Sequence, residues 1–163
     1  GLFDYRNLSP LDALRTAFRD PVQIAAVLEK PVIIHTRDSF SDVYEFLGEA
    51  YLGAKAVIHC WTGGPRWTKR FRALGATFSF AGPVTYTTGD TVRRGAAEAP
   101  PERTLVESDS PYLAPEPHRG ETNRPEWSRH IGVVLAEIWG VPEVDVARMS
   151  SENAAHVFGS PHG

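Results

Sequence analysis

The chain has 163 residues, of which 42% are apolar and 23% charged, and its formal net charge is −3. This balance is typical of a soluble globular domain, and no apolar run approaches the ~20 residues that a membrane-spanning helix needs. The single cysteine, Cys60, excludes an internal disulfide. We expect one cytoplasmic domain over residues 1–163, with no membrane contact and no obligate protein partner.

The start of the chain predicts the end of a strand followed by a helix. Residues 1–6 are typical of a strand end, and Ser9 followed by a proline is an N-cap signal. Apolar residues then recur at helical spacing over residues 11–28. Pro21 lies inside this run and has no N–H to donate, so we expect a kink or break near Asp20.

Three short apolar runs each end in a side chain that can bind a metal ion. The runs are Val32–Ile34 before His35, Ala56–Ile58 before His59, and Thr104–Val106, which leads through Glu107 to Asp109. Such runs are typical of buried parallel strands, whose C-terminal ends carry the functional groups in α/β proteins. Two imidazoles and a carboxylate at one sheet edge predict a divalent-metal site.

The remaining pattern alternates helices with strands. We predict a strand over residues 76–80, a long loop over 110–125, and helices over residues 40–50, 65–74, 88–99, 125–139, 142–150 and 151–158. Four strands alternating with helices, plus the initial strand end, predict an α/β fold with a parallel sheet. This is about half of a closed eight-stranded barrel.

Several polar residues near the predicted site have two interpretations each. Asp109 can bind the metal or accept a proton from the attacking water. Arg37 is either a phosphate contact or part of a loop ion pair. His118 and Arg119 lie in the long loop, where they either hold an anionic substrate or are solvated. We expect Glu107 to be a structural carboxylate bonded to an arginine.

Two other groups are interpreted structurally. The cations on the helix that begins at Pro65 are typical of a solvated helix face: Arg66, Lys69, Arg70 and Arg72. Cys60 is expected to pack within a strand, because no base is placed beside it by the sequence. Trp61, in contrast, is expected in the loop that borders the site.

Several stretches together resemble one known family. They are residues 5–10 (YRNLSP), 31–38 (PVIIHTRD), 59–63 (HCWTG), 78–85 (FSFAGPVT), 107–115 (ESDSPYLAP), 117–120 (PHRG) and 153–154 (NA). In this order and combination they resemble the TatD family of metal-dependent deoxyribonucleases. The resemblance implies a (β/α) TIM-type barrel, of which this chain corresponds to about the C-terminal two-thirds.

The resemblance also implies a chemistry. It implies one or two divalent metal ions (Mg²⁺, Mn²⁺ or Zn²⁺) and hydrolysis of phosphodiester bonds in DNA, often as a 3′-to-5′ exonuclease. By position, the metal ligands are His35, His59 and Asp109, and Asp109 is also catalytic. The residues that match substrate-binding loops are Arg37, Ser110, His118 and Arg119. The family's His-x-His pair and a further metal-binding Glu belong to strands ahead of the matched region.

Two alternatives to a deoxyribonuclease remain open. The same metal chemistry can hydrolyse an ester or amide, as in a deacylase acting on D-aminoacyl-tRNA, which TatD-like proteins can resemble. The chain can also be inactive and incomplete without the N-terminal ligands, and need a partner to close the barrel. Cleavage of an acyl ester without cleavage of DNA would favour the ester or amide hydrolase over the deoxyribonuclease. Failure to bind Mn²⁺ would favour the inactive, incomplete chain.

Overall fold

The computed structural model describes Leu2–Asp4 and residues 11–49 and 55–159. The strands are β1 (Leu2–Asp4), β2 (Val32–Arg37), β3 (Ala56–His59), β4 (Thr77–Phe80) and β5 (Thr104–Val106). The helices are α1 (Leu11–Val27), α2 (Phe40–Glu49), α3 (Pro65–Ala73), α4 (Asp90–Ala96), α5 (Ser128–Trp139) and α6 (Glu143–Phe158). No helix in these ranges is long and apolar enough to cross a membrane.

The five strands form one parallel sheet in chain order, β1-β2-β3-β4-β5. Each strand is joined to the next through a helix, as parallel pairing requires. The apolar runs therefore predicted the sheet correctly, including the initial strand. The Ser9 cap and residues 5–10 lie outside the described part of the chain.

The core lies between the sheet and the helices. Ile34, Ile58 and Phe78 on the sheet are fully buried and belong to the same cluster as Phe18 of α1 and Phe71 of α3. Successive strand residues face opposite sides of a sheet. The residues next to these apolar ones, including the two histidines, therefore face away from the helices.

Helix α1 continues across Pro21, so of the predicted kink or break near Asp20 the break is wrong. Phe18 lies before the proline and Val22 and Ala25 after it, and all three are buried in the core. Packing on both sides of Pro21 outweighs the single hydrogen bond that it cannot make. The predicted inward position of Leu28 is also wrong, because α1 ends at Val27 and Leu28 is 60% exposed.

Residues Glu143–Phe158 form one helix, whereas the sequence predicted two over residues 142–150 and 151–158. Helix α6 runs through Ser150 and Ser151 without interruption. The Ser150 hydroxyl accepts a hydrogen bond from the Val106 N–H (2.9 Å), and the Ser151 hydroxyl donates to the Ala147 carbonyl (2.9 Å). Both hydroxyls therefore find partners without leaving the helix, and no proline or glycine breaks it. Helix α4 is shorter than the predicted helix over residues 88–99.

The long loop after β5 is held by one buried amide. Asn123 donates from Nδ2 to the carbonyls of Ser108 (2.5 Å) and Tyr112 (2.6 Å), and its Oδ1 accepts from the Arg124 N–H (2.7 Å). These bonds join the two ends of the loop, which contains no helix or strand between Val106 and Pro125. The predicted loop is confirmed, and it closes over the C-terminal edge of the sheet.

Candidate metal centre

Two histidines lie side by side at the C-terminal edge of the sheet. His35 of β2 and His59 of β3 are register partners. Their ring centroids are 5.6 Å apart, with the planes tilted by 40°. Strand β3 ends at His59, whereas β2 continues to Arg37. The structure thus brings together the two imidazoles that the apolar runs singled out.

Glu107 fixes the orientation of His59. Its Oε2 lies 2.8 Å from Nδ1 of His59, and its Oε1 accepts hydrogen bonds from the Cys60 N–H (2.6 Å) and the Ser79 hydroxyl (2.8 Å). A carboxylate accepts at both oxygens, so Nδ1 of His59 carries a proton. This leaves Nε2 of His59 on the far side, 3.6 Å from Oδ1 of Asp109. Within the described residues the partners of Glu107 are His59, Cys60 and Ser79, and no arginine is among them, contrary to the prediction.

The pKa values of this pair shift in opposite directions. Burial raises the pKa of Glu107, but hydrogen bonds from His59, Ser79 and the Cys60 N–H, with the charge of His59, hold it below its ordinary value. The hydrogen bond to Glu107 raises the pKa of His59 more than burial lowers it, and the charges of Glu107 and Asp109 add to the rise. Without a metal, the two side chains therefore stabilise each other as an ion pair.

Asp109 lies beyond β5 on a backbone in the left-handed region, with φ of 58°. Burial raises the pKa of this carboxyl, the charge of Glu107 adds to the increase, and His59 and His35 oppose it. The net pKa therefore lies above the ordinary value. The sequence had placed Asp109 at a strand end, whereas β5 ends at Val106.

An open cleft of ≈ 360 Å³ lies beside this cluster and is lined by His35 and Asp109 but not by His59 or Glu107. Its lining residues are His35, Thr36, Arg37, Asp38, Cys60, Thr62, Pro83, Asp109 and Leu113. Four of them have a positive φ, at Asp38 (55°), Cys60 (48°), Asp109 (58°) and Leu113 (52°). Among the described residues only one other non-glycine, Glu29, shares this conformation. Strained backbone concentrates at functional sites, and here it is concentrated around one cleft.

The substrate-binding candidates divide into two groups. Arg37 lines the cleft and is exposed. Ser110 follows Asp109, and its buried hydroxyl has no hydrogen-bond partner in the described chain. His118 and Arg119 do not line the cleft. They lie on the long loop, where each contacts an aromatic ring.

The two loop residues are held by stacking. The His118 ring lies 3.9 Å from the Trp127 ring with the planes nearly parallel, and its Nδ1 is 3.1 Å from Glu121. The Arg119 guanidinium lies 4.2 Å from the centre of the Tyr86 ring. Burial raises the pKa of Tyr86, Arg119 lowers it, and Cys60, Glu116 and Asp109 raise it further, so Tyr86 lies within electrostatic reach of the cleft. No local pattern in the sequence singled out Tyr86.

Cys60 and Trp61 differ from their predicted places. Cys60 follows the end of β3 rather than lying inside it. Burial and the charges of Glu107 and Asp109 raise the pKa of its thiol to about 12, which disfavours a nucleophile. Trp61 is 1% exposed and belongs to the core, with its Nε1 donating to the Thr68 hydroxyl (2.9 Å). It does not border the cleft.

The donor set of the cleft fits a divalent cation. Within residues 2–4, 11–49 and 55–159, no three His, Cys, Asp or Glu side chains form a ready-made metal site. The chemistry nevertheless fits, since His59 directs a free Nε2 towards Asp109 while Nδ1 is bound to a carboxylate, an arrangement typical of metal-ligating histidines. The adjacent His35 ring adds a second nitrogen donor.

A parallel sheet with its strands in chain order and helical connections defines an α/β protein of the TIM-barrel type. The TatD related DNase family model matches residues 1–159, and this chain belongs to that family. In structure, the chain superimposes on YjjV, a TatD homologue from Escherichia coli K12, with a TM-score of 0.90 and 25% identity over 98% of this chain and 62% of YjjV. A TatD family hydrolase from Entamoeba histolytica shares the fold (TM-score 0.84, 14% identity). The predicted fold class is confirmed.

Curated relatives cover the same region. The chain is 38% identical to YcfH of Escherichia coli K12 over 143 residues, which are 87% of this chain and 54% of YcfH. It is 33% identical to YabD of Bacillus subtilis 168 over 161 residues, or 97% of this chain and 62% of YabD. Both are described as uncharacterized metal-dependent hydrolases. The chain thus spans about half to three-fifths of the length of these relatives.

Proposed function

We propose that this chain provides part of the site of a divalent-metal-dependent hydrolase that cleaves phosphodiester bonds in DNA. The observation that carries the proposal is the orientation of His59, whose Nδ1 is bound to Glu107 and whose Nε2 faces Asp109. The family description names a DNase, and the curated relatives are named metal-dependent hydrolases. These names support hydrolysis with a metal, and DNA is the substrate that we infer.

The residues of the cleft have distinct roles in this proposal. His35, His59 and Asp109 would hold a divalent cation, with Mg²⁺, Mn²⁺ and Zn²⁺ as candidates. When bound, the cation would supply positive charge at the scissile phosphate and acidify the attacking water. Glu107 keeps the proton of His59 on Nδ1, so that Nε2 is free.

Asp109 and the polar loop residues handle the proton and the substrate. The Asp109 carboxylate, 3.6 Å from Nε2 of His59, would accept the proton of the attacking water. Arg37, exposed in the cleft, binds a phosphate oxygen through its guanidinium edge. Ser110 can donate its unpartnered hydroxyl to the same anion. His118 and Arg119 lie farther along the loop and would contact the DNA on one side of the scissile bond.

The test is cleavage of end-labelled single-stranded DNA with Mg²⁺ or Mn²⁺, compared with a chelator. We expect metal-dependent release of nucleotides, and a loss of at least about 100-fold in Asp109→Asn, since a general base and a charged ligand are both removed. Asp90→Asn is the matched control, because Asp90 is an exposed carboxylate on α4 that pairs only with Arg94 in the described chain. Equal activity in both variants would contradict the role of Asp109.

The same assay separates the two alternatives. An acyl-ester substrate such as a D-aminoacyl-tRNA is tested in parallel. Hydrolysis of the ester without cleavage of DNA would replace the proposed substrate class while keeping the metal chemistry. If folded protein cleaves neither substrate and binds no Mn²⁺, the chain is an incomplete site and the proposal fails.

A further inference from the structure

Helix α3 carries a cluster of positive charge, of which only one cation is paired with a carboxylate in the described chain. Its nine residues include four cations and no acidic residue: Arg66, Lys69, Arg70 and Arg72. Lys69 pairs with Glu98 at 3.2 Å. None of the ion pairs formed within the described chain involves the three arginines of this helix. In a chain whose net charge is −3, this helix is a local exception.

Aromatic rings hold two of these arginines in place. The Arg70 guanidinium lies 5.0 Å from the centre of the Trp67 ring and 5.3 Å from that of Tyr44. The Arg66 guanidinium lies 5.9 Å from the centre of the Trp67 ring. A guanidinium that stacks on a ring through its face keeps the N–H groups at its edge available. Both arginines are exposed, so their N–H groups are accessible to solvent.

The N-terminus of α3 is close to the cleft in the sequence. Thr62 lines the cleft, and α3 starts three residues later at Pro65. Phe40, at the start of α2, packs against the N-terminal part of α3, since its ring lies 5.0 Å from the Trp61 ring and 5.9 Å from the Trp67 ring. The four-residue step from Arg66 to Arg70 is about 6 Å along the helix. Both arginines can therefore contact one short stretch of an extended anionic chain.

We propose that Arg66 and Arg70, held by Trp67 and Tyr44, bind the phosphate backbone of single-stranded DNA that extends from the cleft. We call these four residues the α3 basic surface. The inference rests on the proposed function, because it takes DNA as the substrate and adds a second contact outside the cleft. Basic side chains interleaved with aromatic rings are typical of single-strand binding sites.

A lipid surface fits this region less well. A helix that lies on a membrane needs an exposed apolar face beside its cations. No large apolar side chain of α3 is exposed, since Phe71 is fully buried and Trp67 is partly buried. The cations therefore stand without the apolar contact area that would hold the helix in a bilayer interface.

The test measures binding separately from cleavage. Fluorescence anisotropy of a labelled single-stranded 12-mer is recorded in chelator between about 50 and about 200 mM salt. We expect the Arg66→Gln/Arg70→Gln double variant to bind more weakly, with a salt slope smaller by about 1.4, or about 0.7 for each lost phosphate contact. Between about 50 and about 200 mM salt, the double variant is therefore expected to lose about sevenfold less affinity than wild type loses. Arg66→Lys/Arg70→Lys keeps both charges and is expected to retain the slope.

The matched control is Arg94→Gln/Arg148→Gln, which removes the same net charge from arginines already paired with carboxylates on α4 and α6. Near-UV circular dichroism confirms the fold of each variant. An equal loss in the control, or unchanged DNA binding in the α3 variant, overturns the proposal. The proposal is also overturned if the Arg66→Gln/Arg70→Gln variant loses binding to phosphatidylserine vesicles while its DNA binding is intact. Because the assay needs no cleavage, a chain that binds DNA through this surface without cutting it contradicts only the proposed function.

Discussion

Glu107 connects three strands at the candidate metal centre. Its carboxylate accepts hydrogen bonds from His59 at the end of β3, from the Cys60 N–H just beyond it, and from Ser79 in β4. These bonds use both oxygens of a side chain that is only 25% exposed, so the carboxylate is fully partnered within the protein. A residue in this position affects both the stability of the sheet edge and the direction of the His59 ring.

Replacing Glu107 with glutamine tests its structural contribution. The amide keeps the shape of the side chain but loses the charge and one acceptor oxygen, so the charge-assisted hydrogen bond from protonated His59 is lost. We expect the free energy of unfolding to fall by about 1.5–3 kcal/mol, the range for a hydrogen bond to a charged group. Urea denaturation measures it, with Glu98→Gln as the control at a surface ion pair. A change below about 0.5 kcal/mol in Glu107→Gln would show that the network contributes little.

The pH dependence of this difference follows from the two pKa shifts in metal-free protein. The pKa of Glu107 is lowered on folding, so its contribution is present above about pH 4.5 and is lost as the pH falls through the folded-state pKa. The pKa of His59 is raised, so its contribution is complete below about pH 6.5 and is lost as the pH rises through the folded-state value. The stability difference between wild type and Glu107→Gln is therefore expected to be greatest between these values. A difference that grows steadily up to about pH 9 would contradict this assignment.

Helix α1 contains a proline that its packing tolerates. Pro21→Ala restores the N–H and a hydrogen bond within the helix while leaving Phe18, Val22 and Ala25 in place. We expect the free energy of unfolding of the variant to be higher by about 1–3 kcal/mol. The gain is smaller than the full cost of a proline in a helix, because proline also restricts the unfolded chain. Thermal and urea denaturation measure this, with exposed Gln23→Ala as the control. Lower stability in Pro21→Ala would mean that the proline shapes the helix in a way that the core requires.

The loop after β5 approaches the turn after β4 at a glycine. A Cβ at Gly82 would collide with the carbonyl oxygen of Leu113, which lines the cleft. Gly82→Ala is therefore expected to displace the loop and lower the free energy of unfolding by about 1–3 kcal/mol, since backbone must move. Gly132→Ala on α5 is the matched control, because a Cβ there meets nothing within 4 Å. We expect that control to be neutral or stabilising, and equal effects in the two variants would contradict the close approach.

The elements that the sequence predicts well are those with a local pattern. The apolar runs before His35 and His59 predicted two strands and their parallel order, because alternation and burial are properties of neighbouring residues. The break at Pro21 was wrong because long-range packing decides whether a helix tolerates a proline. The partner of Glu107 was also missed, since His59 lies 48 residues away and no local pattern encodes such a contact. Stacking of His118 and Arg119 on aromatic rings, away from the cleft, is equally non-local.

At the scale of the whole molecule, two features lie at the same edge of the sheet. One is the cleft lined by His35 and Asp109 with His59 beside it, and the other is the α3 basic surface. The first would supply the chemistry and the second would retain the polynucleotide. The expectation that further metal ligands come from strands ahead of the matched region stays a prediction.

The most direct measurement is the affinity of this chain for Mn²⁺, determined by isothermal titration calorimetry at neutral pH. We predict that wild type binds Mn²⁺, that His59→Ala abolishes binding at the cleft, and that Glu107→Gln weakens it about 10- to 100-fold because the His59 ring loses its orienting partner. Asp90→Asn, at the surface pair with Arg94, is expected to bind as wild type does. If His59→Ala binds Mn²⁺ as tightly as wild type, the cleft is not the metal centre and the central claim is wrong.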